Sequence, residues 1–331
     1  MDGIYSTRNG IGWGAAELNK EETDLNDTNY CLEAQALHKQ YKGFKALNGL
    51  NLHVPQGAIY GLVGQNGAGK TTLIRLICGL QEPTAGTYTL YGTPHTSPAI
   101  HGVRKRMGAV VETPALQTGM TARENLVQQY RILGMPSQDG IDELLALVGL
   151  ADTGKKKARA FSLGMRQRLG IALALCGSPD LLVLDEPVNG LDPRGIIEIR
   201  ELILKLNRER RITVLISSHI LDELSRLATH YGFIDHGTML KEITAAELEA
   251  SCRKCVRLTV TDTPALSRVC DRLGLDYQII TDYQADLYGK VNLTELTLAL
   301  AGEGCEIQSF HERDESLENY YMNLVGGNQH A

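Results

Sequence analysis

The sequence predicts an α/β fold, in which a domain with a largely parallel sheet and covering helices is followed by a small α+β domain. Three observations lead to this fold class. Short apolar runs alternate with helical patterns from about residue 31 to 240, a glycine-rich loop joins a strand to a helix near residue 64, and the pattern changes beyond about residue 241. Alternating strands and helices are typical of parallel sheets, whose faces are covered by helices. A chain of 331 residues is long enough for one large domain and one smaller domain.

The first segment, residues 1 to 30, is predicted to be a flexible tail. It is rich in Gly, Asn, Asp, Glu and Thr and shows little apolar periodicity before Leu32. Trp13 could dock on a partner, although an incidental exposed aromatic is the more frequent case. The start MDGIYSTRNG lacks a basic stretch followed by an apolar core, and no apolar run approaches the roughly 20 residues that span a bilayer. We therefore expect a chain that stays in the cytoplasm.

Charge and cysteine content exclude some classes of partner and site. The formal net charge of −6 lacks the basic footprint of a nucleic-acid-binding domain, so no nucleic acid partner is expected. The seven cysteines are scattered through a chain without an export signal, so no disulfide framework is expected. Cys252 and Cys255 form a C-x-x-C pair, with Cys270 and Cys305 further along. A zinc site is not favoured, because structural zinc sites usually show a second close pair.

The clearest strands of the predicted α/β domain, residues 31 to 240, are AIYGLVG (58 to 64), LLVLDEP (181 to 187) and RITVLISSH (211 to 219). Each ends in polar or glycine residues, and ligands of open α/β sheets bind at the carboxyl ends of strands. A more helical insert lies between the first two strands. Within it, TARE at 121 to 124 has the spacing of a capping box, which predicts a separate helical lobe.

The last part of the chain, residues 241 to 331, is predicted to be an accessory domain. CVRLTV, TPALSRVCDRLG, DYQIIT, ADLYG, NLTELTLALAG and CEIQSF have the patterns of strand, helix, strand, strand, helix and strand. That order matches a ferredoxin-like unit. The final stretch ESLENYYMNLV predicts a helix that packs onto one of the two domains.

The loop GQNGAGKT, residues 64 to 71, fits the phosphate-binding pattern G-x-x-x-x-G-K-[ST] between a strand and a helix. Its glycines let successive N–H groups point at phosphates, Lys70 neutralises the β- and γ-phosphates, and Thr71 offers a hydroxyl to Mg²⁺. An ordinary glycine-rich turn is disfavoured by the lysine and the threonine. The predicted ligands of ATP here are Gly64, Gln65, Asn66, Gly67, Ala68, Gly69, Lys70, Thr71 and Thr72.

LLVLDEP supplies the second half of a nucleoside triphosphatase. Asp185 ends a buried strand, where an aspartate holds Mg²⁺ through water in P-loop enzymes. Glu186 follows it and is predicted to accept the proton of the attacking water. A solvated acidic pair would be the reasonable interpretation only without the phosphate loop.

The motifs occur in a specific order: phosphate loop, FSLGMRQR (161 to 168), LLVLDEP, NGLDP (189 to 193) and SSH (217 to 219). This order resembles the ATP-binding cassette of transporter ATPases across essentially all of residues 31 to 240. The resemblance implies a head-to-tail dimer in which the signature loop, FSLGM, binds the γ-phosphate of ATP held by a second copy. It also implies a membrane-spanning permease subunit that places the chain at the cytoplasmic face of the membrane.

The same resemblance assigns roles to single residues. Tyr41, in KQYKGFKAL, would stack on adenine, and Asp192 would organise the dimer contact. His219 would reach the γ-phosphate and join Lys70 and Glu186 as a catalytic residue. In the signature loop, Ser162 offers a hydroxyl and Gly164 allows close backbone approach, while the following helix directs its dipole at the same anion. Ser162 is also expected to be an ordinary helix N-cap.

Two departures from the family pattern narrow the resemblance. Leu163 and Met165 replace a glycine and the glutamine of the usual LSGGQ, and Glu112 in VVETP stands where a glutamine senses Mg²⁺. A carboxylate can ligate Mg²⁺, so the predicted metal ligands are Thr71, Glu112 and Asp185. With MRQRLGIA and SLENYYMNL, these departures look like the bacitracin and lantibiotic protection exporters. That implies a peptide-antibiotic exporter of the ABC-2 type, with a dimer-stabilising or regulatory C-terminal domain.

Two other functions stay open at this point. A soluble cassette ATPase without a transport role is opposed by the single cassette, the net charge of −6 and the lack of coiled-coil or basic arms. A nucleotide-gated binding module that barely hydrolyses is opposed by Glu186, although the altered signature is compatible with it.

Overall fold

A computed structural model describes residues 29–251, 255–289, 291–313, 320–322 and 324–325. The predicted tail, apart from Asn29 and Tyr30, lies outside the described residues, as do Trp13 and Cys252. The strands are β1 (Tyr30–Tyr41), β2 (Phe44–Pro55), β3 (Ile59–Val63), β4 (Ala85–Leu90), β5 (Thr93–Pro94), β6 (Met107–Val110), β7 (Leu181–Asp185), β8 (Thr213–Ser218), β9 (His230–Asp235), β10 (Thr238–Thr244), β11 (Cys255–Val260), β12 (Asp276–Thr281), β13 (Gln284–Tyr288) and β14 (Ile307–Arg313). The helices are α1 (Lys70–Ile77), α2 (Ile100–Arg104), α3 (Ala122–Ile132), α4 (Ile141–Leu147), α5 (Leu163–Leu175), α6 (Pro193–Arg210), α7 (Leu221–Ser225), α8 (Ala245–Ser251), α9 (Thr263–Leu273) and α10 (Leu293–Gly302).

The central sheet confirms the predicted α/β class. It has six strands in the order β10-β9-β3-β8-β7-β6, and the five strands from β9 to β6 in that order are parallel. The three predicted strands are β3, β7 and β8. In their register Val63 pairs with Ser218, and Asp185 pairs with Ser217. The carboxyl ends of the three strands therefore meet at one edge of the sheet, which is where their polar residues were expected to converge.

A second sheet, in the order β2-β1-β4-β5, is antiparallel and adds to the largely parallel sheet that was predicted. Leu37 and Leu50 of this sheet share one apolar core with Leu73 and Ile74 of α1. All four side chains have no exposed surface, so the antiparallel sheet is packed firmly against the helix that follows the phosphate loop.

The helical lobe consists mainly of α3, α4 and α5. Its predicted capping box is confirmed: the Thr121 Oγ1 accepts from the Glu124 amide at 3.2 Å, and the Glu124 carboxylate accepts from the Thr121 amide at 2.7 Å. Leu126, Ile141 and Leu169 of the three helices are fully buried in a common core.

The C-terminal part confirms the predicted ferredoxin-like order. Its four strands are all antiparallel, in the order β12-β13-β11-β14, and its core joins Leu258 and Leu287 of the sheet to Val269 and Leu296 of the helices. The boundary predicted between residues 240 and 241 falls inside β10, which pairs with β9 of the central sheet. The central sheet extends to Thr244 because β10 forms backbone hydrogen bonds with β9, and the change in sequence pattern does not reveal this pairing.

Two further findings concern membrane-spanning helices and metal sites. Within the described residues, none of the helices combines the length and apolar character needed to cross a bilayer. In the same part of the chain, no three His, Cys, Asp or Glu side chains cluster as a metal site would require, and Cys270 and Cys305 lie in the core of the C-terminal domain.

Candidate nucleotide site

The phosphate loop runs from the end of β3 to the start of α1. At two of its glycines the backbone lies so close to other segments that a side chain would not fit. A Cβ on Gly64 would lie 2.5 Å from the Ile234 carbonyl oxygen, and one on Gly69 would lie 2.7 Å from that of Ala46. Gly67 and Gly69 have φ values of +86° and +112°, which favour glycine. Among the described residues, no side chain caps α1, so its first N–H groups are available to an anion. This backbone cradle fits a row of phosphates.

Lys70 lies beneath this loop, with its side chain only 5 % exposed. Its ammonium donates to the carbonyl oxygens of Gly64 at 2.6 Å and Gln65 at 3.1 Å, and lies 3.2 Å from Glu186 Oε1. The loop curls around the ammonium, so a fixed positive charge stands where the loop would bind phosphate. The predicted catalytic residues Lys70 and Glu186 are thus brought together.

Glu186 also contacts the third predicted catalytic residue. His219 Nδ1 lies 2.7 Å from Glu186 Oε2, so one carboxylate bridges the ammonium and the imidazole. Glu186 has a φ of +49°, and its amide donates to Ser217 Oγ at 2.9 Å. A residue in the left-handed backbone conformation directly after β7 turns the chain sharply. Backbone strain of this kind persists where surrounding contacts hold it.

Asp185 and its serine partner form the buried half of the site. Asp185 is 1 % exposed, and Ser217 Oγ donates to Asp185 Oδ1 at 2.6 Å. Thr71, at the start of α1, is half-buried and adds a hydroxyl oxygen. Carboxylate and hydroxyl oxygens suit Mg²⁺, so these two residues fit the metal that accompanies a nucleoside triphosphate. Ser217 was missed as a site residue, although its place opposite Asp185 in neighbouring parallel strands could have identified it.

Glu112, the third predicted metal ligand, occupies a different position. It follows β6 with a φ of +58°, and its carboxylate forms an ion pair with Arg75 of α1. In the described part of the chain, neither a hydrogen bond nor an ion pair joins Glu112 to Thr71 or Asp185. Arg75 was not predicted as a partner, because the two residues are distant in the sequence.

Tyr41, the predicted adenine partner, ends β1 at the hairpin to β2. Its hydroxyl donates to Gln81 Oε1 at 2.5 Å, and its ring is 38 % exposed with the Lys39 ammonium 5.4 Å from its centroid. The ring face is therefore held in place and accessible to a planar base.

The signature loop is presented to solvent on the helical lobe. Ser162 is exposed and caps α5, its Oγ accepting from the Met165 amide at 3.3 Å, and Asp192 caps α6 by accepting from Gly195 at 3.1 Å. Ser162 is thus the helix N-cap that the sequence predicted. No hydrogen bond or ion pair joins Ser162 or Asp192 to the phosphate loop of the same chain, as far as the structure describes it. The Leu163 side chain lies 3.3 Å from the place of a Cβ on Gly190, so the signature and NGLDP loops are neighbours.

One residue at the phosphate loop comes from the far end of the chain. The Gln65 amide donates to the Tyr321 hydroxyl at 3.2 Å. Tyr321 is 4 % exposed and belongs, with Phe233, to the core of the cassette domain. The final helix was expected to pack onto one of the two domains, and its described residues pack onto the cassette. No motif spacing in the sequence indicates the contact with Gln65.

Comparisons with known proteins agree with this geometry. The profile of the ABC transporter family matches residues 47–189. The bacitracin transport ATP-binding protein BcrA of Bacillus licheniformis is 40% identical over 294 residues, covering 88% of this chain and 96% of the relative. The lantibiotic transport ATP-binding protein SrtF of Streptococcus pyogenes is 41% identical over 211 residues, covering 64% of this chain and 90% of the relative. A dimeric post-hydrolysis structure of the ATP-binding cassette MJ0796, bound to ADP and Pi, aligns with a TM-score of 0.58 at 26% identity, covering 65% of this chain and 98% of that chain.

Proposed function

The chain belongs to the ABC transporter family, and from this premise we propose that it is the ATP-hydrolysing subunit of a membrane exporter for peptide antibiotics. The observation that carries the ATPase chemistry is the contact of Lys70, Glu186 and His219 beside a glycine-rich phosphate loop. The peptide cargo is inferred from the relatives, which are named for bacitracin and lantibiotic transport.

In the proposed reaction, Glu186 acts as the general base. Its carboxylate accepts a proton from a water molecule whose oxygen attacks the γ-phosphorus, and the bond from that phosphorus to the bridging oxygen of the β-phosphate breaks, giving ADP and phosphate. Lys70 offsets negative charge on the phosphates, and His219 orients the carboxylate through its 2.7 Å contact. Mg²⁺ would neutralise further charge, with Thr71 and Asp185 as its holders and Glu112 as the remaining predicted ligand.

We further propose that two copies complete each site. Ser162 and Gly164 lie on the helical lobe rather than at their own phosphate loop, and Ser162 is exposed. A solved cassette of the same fold is dimeric with ADP and Pi bound. ATP would favour the closed dimer because it contacts the phosphate loop of one copy and the signature loop of the other, and loss of the γ-phosphate contact would favour opening. Tyr41 would hold adenine and Asp192 would organise the contact between copies.

A membrane-spanning partner follows from the same proposal. The bacitracin and lantibiotic relatives are named as transport ATP-binding proteins, so the pore is expected in a separate permease subunit. Closure of the dimer would be passed to that subunit through the loop around Glu112 and the helical lobe. The chain would then be bound at the cytoplasmic face of the membrane through the permease.

The hydrolysis is tested with Glu186→Gln. Loss of the base should lower phosphate release about 10² to 10⁴-fold while binding of a fluorescent ATP analogue persists. Glu209→Gln is the matched control, because Glu209 is exposed near the end of α6, where it pairs with Lys205, and its loss should leave the rate unchanged. Strong hydrolysis by Glu186→Gln would refute the assignment of the base.

The transport role is tested by copurification of the tagged chain from detergent-solubilised membranes of its native cell. A multi-span protein in stoichiometric amount is expected, together with greater sensitivity of the cell to bacitracin or a lantibiotic when Glu186→Gln replaces the native chain. Recovery from the soluble fraction alone, with unchanged sensitivity to both peptides, would favour a soluble ATPase without a transport role.

A further inference from the structure

The chain passes through the ferredoxin-like domain and then returns to the cassette. Tyr320, Tyr321, Leu324 and Val325 contact the apolar core that contains Phe233, rather than the separate core of the ferredoxin-like domain. The ring centroids of Tyr320 and Tyr321 lie 5.6 and 6.1 Å from that of Phe233. We name residues 320–322 and 324–325 the return segment.

The return segment lies directly behind the nucleotide site. Phe233 pairs with Val63 in the register of β9 and β3, and Val63 is the last residue before the phosphate loop. A cleft of about 480 Å³ has three walls: the stretch from Val63 to Asn66, the segment after β8 with His219 and Leu221, and Tyr321 with Met322. The return segment thus lines the same cleft as the phosphate loop and His219, which would both contact the γ-phosphate.

A hydrogen bond joins the return segment to the phosphate loop. The Tyr321 hydroxyl accepts from the Gln65 amide, the second residue of the phosphate loop, at 3.2 Å. Burial raises the pKa of Tyr321, so the hydroxyl stays neutral at physiological pH. The neighbouring Tyr320 packs on the same phenylalanine, but its buried hydroxyl has no hydrogen-bond partner among the described residues.

We propose that Tyr321 is a positioning residue for nucleotide binding: the return segment holds the first turn of the phosphate loop in its binding conformation and thereby couples the C-terminal domain to the nucleotide site. A loop that is already ordered loses less conformational freedom when a ligand binds, so the bond raises affinity without contacting the nucleotide. Coupling of this kind is reciprocal, and nucleotide binding should stabilise the return segment in turn. The inference rests on the proposed ATPase function.

Tyr321→Phe tests the proposal, because it removes the hydroxyl and keeps the ring against Phe233. Loss of one neutral hydrogen bond predicts an increase in KM for ATP of about three- to tenfold, with kcat changed less than about twofold. Tyr320→Phe is the matched control and should keep both constants and the melting temperature of the wild type. A purely structural role would instead lower the melting temperature of Tyr321→Phe with no selective change in KM. Equal KM values for the two variants would overturn the proposal.

Amide hydrogen exchange of the wild-type chain supplies a second test that needs no variant. The Gln65 amide should be protected without nucleotide, and a non-hydrolysable ATP analogue should slow exchange in the peptide containing Tyr320 to Val325. An unprotected Gln65 amide, or an exchange rate in the return segment that the analogue leaves unchanged, would also overturn the proposal. If wild-type chain neither binds nor hydrolyses ATP, the proposed function fails; if it does both while Tyr321→Phe behaves as Tyr320→Phe, only this inference fails.

Discussion

Ser217→Ala perturbs the site at a residue that lies in the SSH motif but was given no role in the sequence analysis. Ser217 Oγ donates to Asp185 Oδ1 at 2.6 Å and accepts from the Glu186 amide at 2.9 Å, so one hydroxyl positions both acidic residues. The side chain has no exposed surface, so water cannot readily replace it after truncation. Alanine therefore leaves Asp185 with one donor fewer and Glu186 held only by the longer contact of its amide to the Ser217 carbonyl, 3.2 Å.

The size of the effect follows from these two bonds. A hydrogen bond to a charged group contributes about 1.5–3 kcal/mol, and outer partners of metal ligands are worth about 10 to 100-fold in affinity or activity. We expect Ser217→Ala to lower the free energy of unfolding by about 2 kcal/mol. We expect its hydrolysis rate at subsaturating Mg²⁺ to fall about 10 to 100-fold.

The assay is phosphate release titrated with Mg²⁺, with Thr213→Val as the matched control. Thr213 is equally buried on the same strand, but its hydroxyl accepts from the Gly57 amide at 2.8 Å at the opposite end of β8. The control should lose stability and keep the Mg²⁺ dependence of the wild type. A hydrolysis rate for Ser217→Ala within about twofold of the wild type would refute this account of the acidic pair. An equal loss of hydrolysis rate in Thr213→Val would refute it as well.

Three further predictions concern the loop, the metal and the helical lobe. Gly69→Ala should abolish binding of a fluorescent ATP analogue, because the new Cβ would lie 2.7 Å from the Ala46 carbonyl oxygen at a φ of +112°; retained binding would contradict the close approach. Glu112→Ala should raise the Mg²⁺ concentration for half-maximal hydrolysis, whereas Arg75→Ala, which breaks the same ion pair, should not; equal shifts would exclude Glu112 as a metal ligand. The hydrogen bond from the Thr121 amide and the contact with the Lys157 ammonium lower the pKa of Glu124 from 4.5 to about 2. The ionised Glu124 carboxylate therefore stabilises the fold fully above pH 4.5, and this stabilisation is lost as pH falls through about 2. Acid unfolding followed by circular dichroism should therefore differ between wild type and Glu124→Gln in that range, and coincident curves would contradict the assigned cap.

Much of the site could be predicted from the sequence because its chemistry is local. The strand, the glycine-rich loop and the helix containing Lys70 are consecutive in the chain, so spacing alone predicts the cradle. Asp185 and Glu186 directly follow a continuous apolar run, which identifies a buried parallel strand and places its carboxylates at the edge of the sheet. The capping box at Thr121 is equally local, since both of its hydrogen bonds lie within four residues.

The parts that could not be predicted depend on contacts between distant residues. The Arg75–Glu112 pair and the bond from Gln65 to Tyr321 join residues 37 and 256 positions apart, and the local sequence does not show these approaches. β10 was divided by the predicted boundary because its membership of the central sheet comes from backbone pairing with β9. Ser217 is an intermediate case, since SSH was recognised as a motif but only register identifies the serine that faces Asp185.

The central claim is that one copy cannot complete a nucleotide site, and subunit complementation tests it most directly. Lys70→Ala removes the phosphate-loop ammonium, and a bulky replacement, Ser162→Arg, blocks the signature loop, so each variant alone should be inactive. In an equimolar mixture, a mixed dimer combines the intact loop of one chain with the intact signature of the other. Since about half of the dimers would be mixed, with one intact site in two, phosphate release should recover to about a quarter of the wild-type rate. A mixture as inactive as its components, although cross-linking shows that mixed dimers form, would contradict a site shared between two copies.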